Sequence, residues 1–341
     1  MKQSPRQKQY YLGLSILKAF LAFDVIRTHN FKITSTNNKI ILLFMRNRRI
    51  HVPSFFIMSF YFIYDELILL DYNKFIKRIE RLLIPYLIWP NIIWIINNIF
   101  NIILKTHFST SFKSLKNQLL WGNAFIVQLW FQWDLIVLTI LFFIFLVIFK
   151  YNYILIFNLL LILAYFLQYS GYNYKFYNHL GVEKRECLGR FIEVLPYAVT
   201  GFTLSSLKII NKIQNYKFKT LIFCLLIYIL IEKYSVFSRI KGVAYAGVNL
   251  NFSSICVILL FSLIGRNPKK TFIINFLKFI TNYTAGVFYL HWSIIIYLQN
   301  YFLIIKKGCF SGCIIIYIIC YLISLVGMKL FSKTKLKNLF S

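Results

Sequence analysis

Lys18 and His29, in the first apolar stretch, are residue types suited to holding an anion and moving a proton, and they stand eleven residues apart. At about 100° per residue, an α-helix places them about 20° apart around the axis and about 16 Å apart along it. They therefore share one face. A cation at one depth can hold an anionic group, and an imidazole at another can move a proton near neutral pH. Ionisable groups inside an apolar helix are costly, so each is a candidate for function. Asp24 lies about 140° around the helix from His29, a poor placement for pairing with it, but three residues before Arg27, with which it can pair. The structural alternative is that Lys18 extends its ammonium to the membrane surface and His29 is an interfacial residue.

Two more stretches carry chemistry. The first is His51-Val52-Pro53-Ser54-Phe55-Phe56-Ile57-Met58-Ser59-Phe60-Tyr61. The second is Lys77-Arg78-Ile79-Glu80-Arg81-Leu82-Leu83-Ile84-Pro85-Tyr86. Arg78 and Arg81, three apart, share a face, and paired guanidinium forks suit phosphate. The alternative for them is an anchor at the membrane surface. His107 and His179 read as surface loop residues. His51 stands at a helix entrance and His291 inside an apolar helix, where a neutral, hydrogen-bonded imidazole is the ordinary state. The chain has no nucleophile elbow, P-loop, dinucleotide fingerprint or zinc signature, which excludes the usual soluble catalytic machines and any bound cofactor or metal they would use.

The elements that must position these residues are membrane helices. Hydrophobic residues make up 59% of the 341, charged residues 14%, and the mean hydropathy is +0.65. Such a chain needs lipid as part of its solvent. The expected fold is all-α: one polytopic transmembrane bundle of about ten helices, a single domain over residues 1–341. The apolar runs place them at Tyr10–Thr28, Pro53–Leu70, Leu82–Leu104, Leu135–Phe149, Tyr153–Tyr169, Phe191–Leu207, Leu221–Ile231, Leu250–Ile264, Ala285–Ile305 and Ile314–Leu330. A polar stretch holds Ser109 to Asn117, and a long loop spans Ser170 to Gly189. Thr271–Tyr283 is apolar but short, and reads as an interfacial helix.

The formal charge is +29, from 39 Lys and Arg against 10 Asp and Glu. The basic residues fall in short loops between apolar runs, where they orient helices and meet anionic headgroups, so the partner implied is membrane lipid and not nucleic acid. With ten spans both termini share a side. That side holds Lys74–Arg81, Lys208–Lys219, Arg266–Lys270 and Lys333–Lys337, although Arg46–Arg49 and Lys184–Arg190 nearly balance it. Met1 to Gln9 is basic, but Lys18, Asp24 and Arg27 interrupt the apolar run that follows, so it does not read as a cleavable signal. Among six cysteines, Cys224, Cys256 and Cys320 read as small hydrophobes, and Cys309 and Cys313 have a spacing that permits a disulfide.

Taken in order, the motifs resemble the acyltransferase-3 family of integral membrane acyltransferases, and its sugar O-acetyltransferase branch in particular. Lys18 and His29 match its basic residue, ten residues, then His. His51 to Tyr61 is similar to its His-x-Pro-x-Phe-Phe-x-x-Ser-Gly-Tyr, with Phe60 in place of the Gly. Arg78, Arg81 and Pro85 match Arg-x-x-Arg-Leu/Ile-x-x-Pro. Leu129-Trp130-Phe131 is similar to a Leu-Trp-Phe stretch, and Gly286-Val287-Phe288-Tyr289-Leu290-His291 to a late Gly-x-x-Tyr-Leu-x-His stretch, the His directly after Leu. Asp24 and Arg27 depart from positions that are usually apolar or small.

The resemblance implies an acyl-CoA donor, acetyl-CoA first among the choices, entering from the cytoplasm, and termini on the cytoplasmic side of the cell membrane. It implies Arg78 and Arg81 on the CoA phosphates, Lys18 along the path, and His29 as general base on the hydroxyl of a glycan acceptor. His51, Ser59, Tyr61, Trp130 and His291 are candidates for meeting the acceptor or the oxyanion. Trp121, Trp130, Trp133, Tyr172 and Tyr174 suit either sugar stacking or the interfacial aromatic belt. The rival functions are a flippase for a lipid-linked sugar, whose inverted repeats are not visible, and a glycan polymerase, for which the Ser170–Gly189 loop is short.

Overall fold

The computed structural model describes residues 11–30, 50–103, 105, 107, 111–122, 129–149, 152–170, 182–235, 247–264, 272–282, 284–300 and 310–336. Among these there are twelve helices of ten or more residues and no strand. They are α1 (Leu12–Asn30), α2 (His51–Ile68), α3 (Tyr72–Ile103), α4 (Phe112–Trp121), α5 (Trp130–Ile148) and α6 (Tyr153–Ser170). They continue as α7 (Val182–Ser206), α8 (Lys217–Ser235), α9 (Val248–Ser262), α10 (Phe272–Asn282), α11 (Thr284–Asn300) and α12 (Phe310–Leu330). A short helical turn, Ile209–Ile213, leads into α8.

Among the described residues, four stretches are long and apolar enough to cross a membrane: Tyr72–Ile103, Trp130–Ile148, Ile209–Ile231 and Gly312–Leu330. Shorter apolar helices lie at Tyr153–Phe166, Val248–Ser262 and Thr284–Leu298. Phe218, Phe223, Leu226 and Ile229 on α8 are exposed, as is required of a helix whose outer face meets lipid.

The helix count exceeds the expected ten because two short helices were read otherwise. Phe112–Trp121 falls in the polar stretch after α3, and its apolar face is a single stripe holding the buried Leu115. Phe272–Asn282 is the short segment read as an interfacial helix. Several boundaries also move outward. Helix α3 starts at Tyr72, ten residues before the expected Leu82, and carries Lys74, Lys77, Arg78 and Arg81 in its first three turns. Asp71 caps it: the Lys74 N–H donates to Oδ1 at 3.1 Å, and Lys74 Nζ lies 3.0 Å from Oδ2, so Lys74 holds the exposed Asp71 carboxyl below its ordinary range. Helix α7 begins at Val182, inside the expected Ser170–Gly189 loop. In both cases the apolar run stops at charged residues while the helix does not.

Helix α2 and helix α7 pack most closely. A Cβ at Gly201 of α7 would collide with the Ile57 carbonyl oxygen of α2, so only glycine lets the two backbones approach there. Phe60, where the family pattern has glycine, points elsewhere. It is fully buried and meets Phe142 at 4.6 Å between ring centroids. Phe142, Phe157 and Phe202 extend that aromatic core across α5, α6 and α7.

The two described ends of the chain lie on one side of the bundle. Tyr11 sits against Phe62 near the end of α2, and Lys335 pairs with Glu80 near the start of α3 at 3.1 Å. Cys313 is buried; Cys309, with which its spacing permits a disulfide, lies outside the described residues.

Candidate active site

The opposite side of the bundle brings together His29, His51 and His291. Asp24, in the second half of α1, divides its carboxylate between two partners. Arg27 Nε donates to Oδ1 at 2.7 Å, one turn along the same helix. His51 Nδ1, in the first turn of α2, lies 3.2 Å from Oδ2. Both imidazole and carboxylate are buried, at 1% and 3% exposure. The expected Asp24–Arg27 pair is present, and the contact of Asp24 with His51 joins it across the segment between α1 and α2.

His29 faces α11. Its ring centroid is 5.3 Å from that of His291 and 4.9 Å from that of Trp292, edge-on to the latter. His291 is fully buried. Its Nδ1 lies 2.7 Å from the Phe288 carbonyl and 3.3 Å from that of Val287. A carbonyl only accepts, so Nδ1 carries the hydrogen and Nε2 holds the lone pair. That Nε2 is buried and has no hydrogen-bond partner among the described residues. His51 is within electrostatic reach of both other imidazoles. The corner therefore holds three imidazoles, one carboxylate and one guanidinium, bounded by the aromatic wall of Phe55, Phe131 and Phe288.

Lys18 lies on the same flank of α1 as His29. Its ammonium points at the Thr281 carbonyl at the end of α10, 3.5 Å away. Since Lys18 meets Thr281 and His29 meets His291, α1 and α11 run side by side in the same direction. The shared face expected from the eleven-residue spacing is thus turned toward α10 and α11.

The other sequence candidates lie elsewhere. Arg78 and Arg81 stand at the end of the bundle that holds the chain termini. Arg81 is exposed and Arg78 half-buried, with Arg78 Nε lacking a hydrogen-bond partner among the described residues. Ser59 and Tyr61 are eight and ten residues beyond His51 on α2, about 12 and 15 Å further along the helix. Trp130 is buried on another flank, under the Arg190 guanidinium, 5.6 Å from its ring centroid. His107 is exposed. Trp121 ends α4, half-buried; His179, Tyr172 and Tyr174 lie outside the described residues.

Around Trp130 a second polar cluster forms that the motifs did not reveal. Asp134, one turn further along α5, is fully buried, and neither carboxylate oxygen has a hydrogen-bond partner among the described residues. Arg190, Glu193, Cys187 and Tyr86 are within its electrostatic reach. Arg190 Nη2 donates to the Trp121 carbonyl at 2.9 Å, and the Tyr86 hydroxyl donates to the Leu119 carbonyl at 2.9 Å and to that of Gln118. The sequence signal was available: an aspartate within an otherwise apolar run, Trp130 to Ile148, as costly as Asp24.

Compared with known proteins, the chain matches one family model, described as an acyltransferase domain, over residues 11–336. No curated protein and no solved structure matches it.

Proposed function

The chain belongs to the acyltransferase-3 family and is a membrane acyltransferase, and we propose that it moves an acetyl group from acetyl-CoA to a hydroxyl of a cell-surface or lipid-linked polysaccharide. That reading puts it in the sugar O-acetyltransferase branch, in the cell membrane, with the side holding both termini in the cytoplasm. The observation that carries it is the arrangement of α1 against α11: a half-buried lysine and an imidazole on one flank, the imidazole set against His291 and Trp292.

In this reading the donor approaches from the cytoplasmic side. Arg78 and Arg81 meet the CoA phosphates there, one half-buried and one exposed. Lys18 stands about 16 Å before His29 along the helix and lines the route between. At the histidine corner His29 takes the proton of the acceptor hydroxyl as its oxygen attacks the thioester carbon. The new O–C bond forms, the C–S bond breaks, and the proton passes to the CoA thiolate. General-base assistance of this kind contributes about 10²- to 10⁴-fold. The developing oxyanion needs a donor, and Trp292 brings an indole N–H to the same corner. His291, with its Nε2 lone pair, and His51 offer further polar contacts to the acceptor.

The test is mass spectrometry of surface glycans from cells with and without the gene. Loss of an acetyl increment supports the proposal; no mass difference under expressing conditions overturns it. His29→Ala sharpens the result, because the variant should insert into the membrane normally yet lose the increment. An unchanged increment in that variant removes His29 from the mechanism.

A further inference from the structure

His291 is fully buried on α11, and one side of its ring is committed while the other is not. We propose that His291 is a specificity-determining residue whose Nε2 accepts a hydrogen bond from a second hydroxyl of the acceptor, next to the one that His29 deprotonates. The enzyme then esterifies a secondary hydroxyl of a vicinal pair and not a primary, exocyclic one. This rests on the acyltransferase reading above and names within it the kind of acceptor position used.

Nδ1 of His291 lies 2.7 Å from the Phe288 carbonyl and 3.3 Å from that of Val287, both on its own helix. Those contacts turn Nδ1 back along α11 and leave Nε2, across the ring, directed away from the carbonyls. A neutral ring with its hydrogen on Nδ1 has only a lone pair at Nε2, and no group among the described residues donates to it. An empty buried acceptor costs its full desolvation, and native structures rarely keep one unless a ligand or water meets it. His29 does not. Its ring centroid is 5.3 Å away and its plane is inclined by only 33°, so the two rings lie beside each other and do not aim their nitrogens at one another. Trp292 stands edge-on to His29 at 4.9 Å, and Phe288 is 5.9 Å from His291. These aromatic walls suit the apolar face of a sugar ring.

Two neighbouring imidazoles, each with a lone pair to fill, suit two hydrogens on neighbouring oxygens. Gauche hydroxyls on adjacent ring carbons hold their oxygens closer together than the 5.3 Å between the centroids, so one hydroxyl can meet each ring. His29 takes the hydrogen of the first as its oxygen attacks the thioester carbon. The second keeps its hydrogen and donates it to His291 Nε2. That bond holds the sugar in register and takes no part in the bonds made and broken. A primary hydroxyl on an exocyclic carbon does not fit. Its neighbouring oxygen is the ring oxygen, which has no hydrogen, so lone pair would face lone pair at Nε2.

The experiment uses the full chain in lipid nanodiscs, acetyl-CoA carrying a ¹³C-labelled acetyl group, and polysaccharide extracted from cells that carry the gene and freed of its esters by mild base. At mildly acidic pH, where esters do not migrate between hydroxyls, NMR of the product identifies the esterified carbon. The expected product has its ester on a ring CH with a free hydroxyl on an adjacent carbon. An ester on an exocyclic CH₂, or on a ring carbon with no hydroxyl beside it, overturns the proposal. His291→Leu removes the acceptor and should raise the KM for polysaccharide roughly ten- to a hundredfold, with the KM for acetyl-CoA unmoved. His291→Gln keeps an acceptor oxygen near the place of Nε2 and should bring that KM back to within about threefold of wild type. Unchanged KM values in His291→Leu overturn the proposal, and so does a His291→Gln chain as weak as His291→Leu. If His291→Leu does not fold, the position of the ester and the His291→Gln chain decide. No transfer by the wild-type chain overturns the acyltransferase reading itself, a result distinct from transfer to the wrong position.

Discussion

Asp24 on α1 and Asp134 on α5 are both buried, at 3% and 0% exposure, yet the bundle treats them differently. Every oxygen of Asp24 is engaged, one by Arg27 and the other by His51. Neither oxygen of Asp134 has a hydrogen-bond partner among the described residues, although Arg190 is near enough to act on it electrostatically. Arg190 gives one donor to the Trp121 carbonyl and lies over the Trp130 ring, and its buried Nε, like the Asp134 oxygens, has no hydrogen-bond partner among the described residues. A paired buried carboxylate fixes the direction of its neighbours, and removing it leaves a charge without compensation. An unpaired one fixes nothing nearby, and its removal relieves a desolvation cost. The two corners should therefore answer substitution in different currencies: function and rigidity at α1, α2 and α11; little of either at α3, α5 and α7.

The largest expected contrast is in transfer itself. His29→Ala should lower the rate by about 10²- to 10⁴-fold, while Asp134→Ala should leave it within about threefold of wild type, by the usual size of changes away from a site. Equal losses in the two variants, measured as acetyl incorporated per folded protein, would erase the division between the corners. The next contrast is in stability. Asp24→Ala strands the Arg27 guanidinium and frees His51, and should cost about 3 kcal/mol, read as a lowered unfolding midpoint in detergent. The pair substitution Asp24→Ala with Arg27→Leu should recover most of that loss. No recovery would mean that the Arg27 charge is not what the first variant exposes.

How far the sequence foretold this division depends on what each feature requires. The Lys18–His29 face and the Asp24–Arg27 pair follow from helix geometry within one segment, so spacing alone revealed them. The Asp24–His51 contact spans 27 positions and depends on how α1 meets α2, which no local period encodes. The same holds for His291, whose place beside His29 needs α1 and α11 to pack in parallel. Helix ends were misjudged wherever charge interrupts the apolar run, at Tyr72 and Val182, because hydropathy reports what meets lipid and not where a helix stops. Phe60 looked like a defect in a glycine position. The close approach that glycine would serve is made instead at Gly201, from the partner helix, which only the packing of α2 on α7 reveals.

The smallest expected effect is also the sharpest test of the comparison. Asp134→Asn keeps the volume and removes the carboxylate. With no hydrogen bond to lose and a buried carboxyl relieved, the unfolding midpoint should stay level or rise, by no more than about 1 kcal/mol in stability. Arg190 should keep its donor to Trp121 and its place over Trp130, since neither contact involves the carboxylate. Asp24→Asn, the same change of atoms in the other corner, should lower stability, because Arg27 and His51 both lose a full carboxylate. If the two Asn variants move the midpoint in the same direction and by the same amount, pairing is not what distinguishes the two aspartates. A rise for Asp134→Asn beside a fall for Asp24→Asn would place the difference in the partners each carboxylate has, because the two substitutions are otherwise identical.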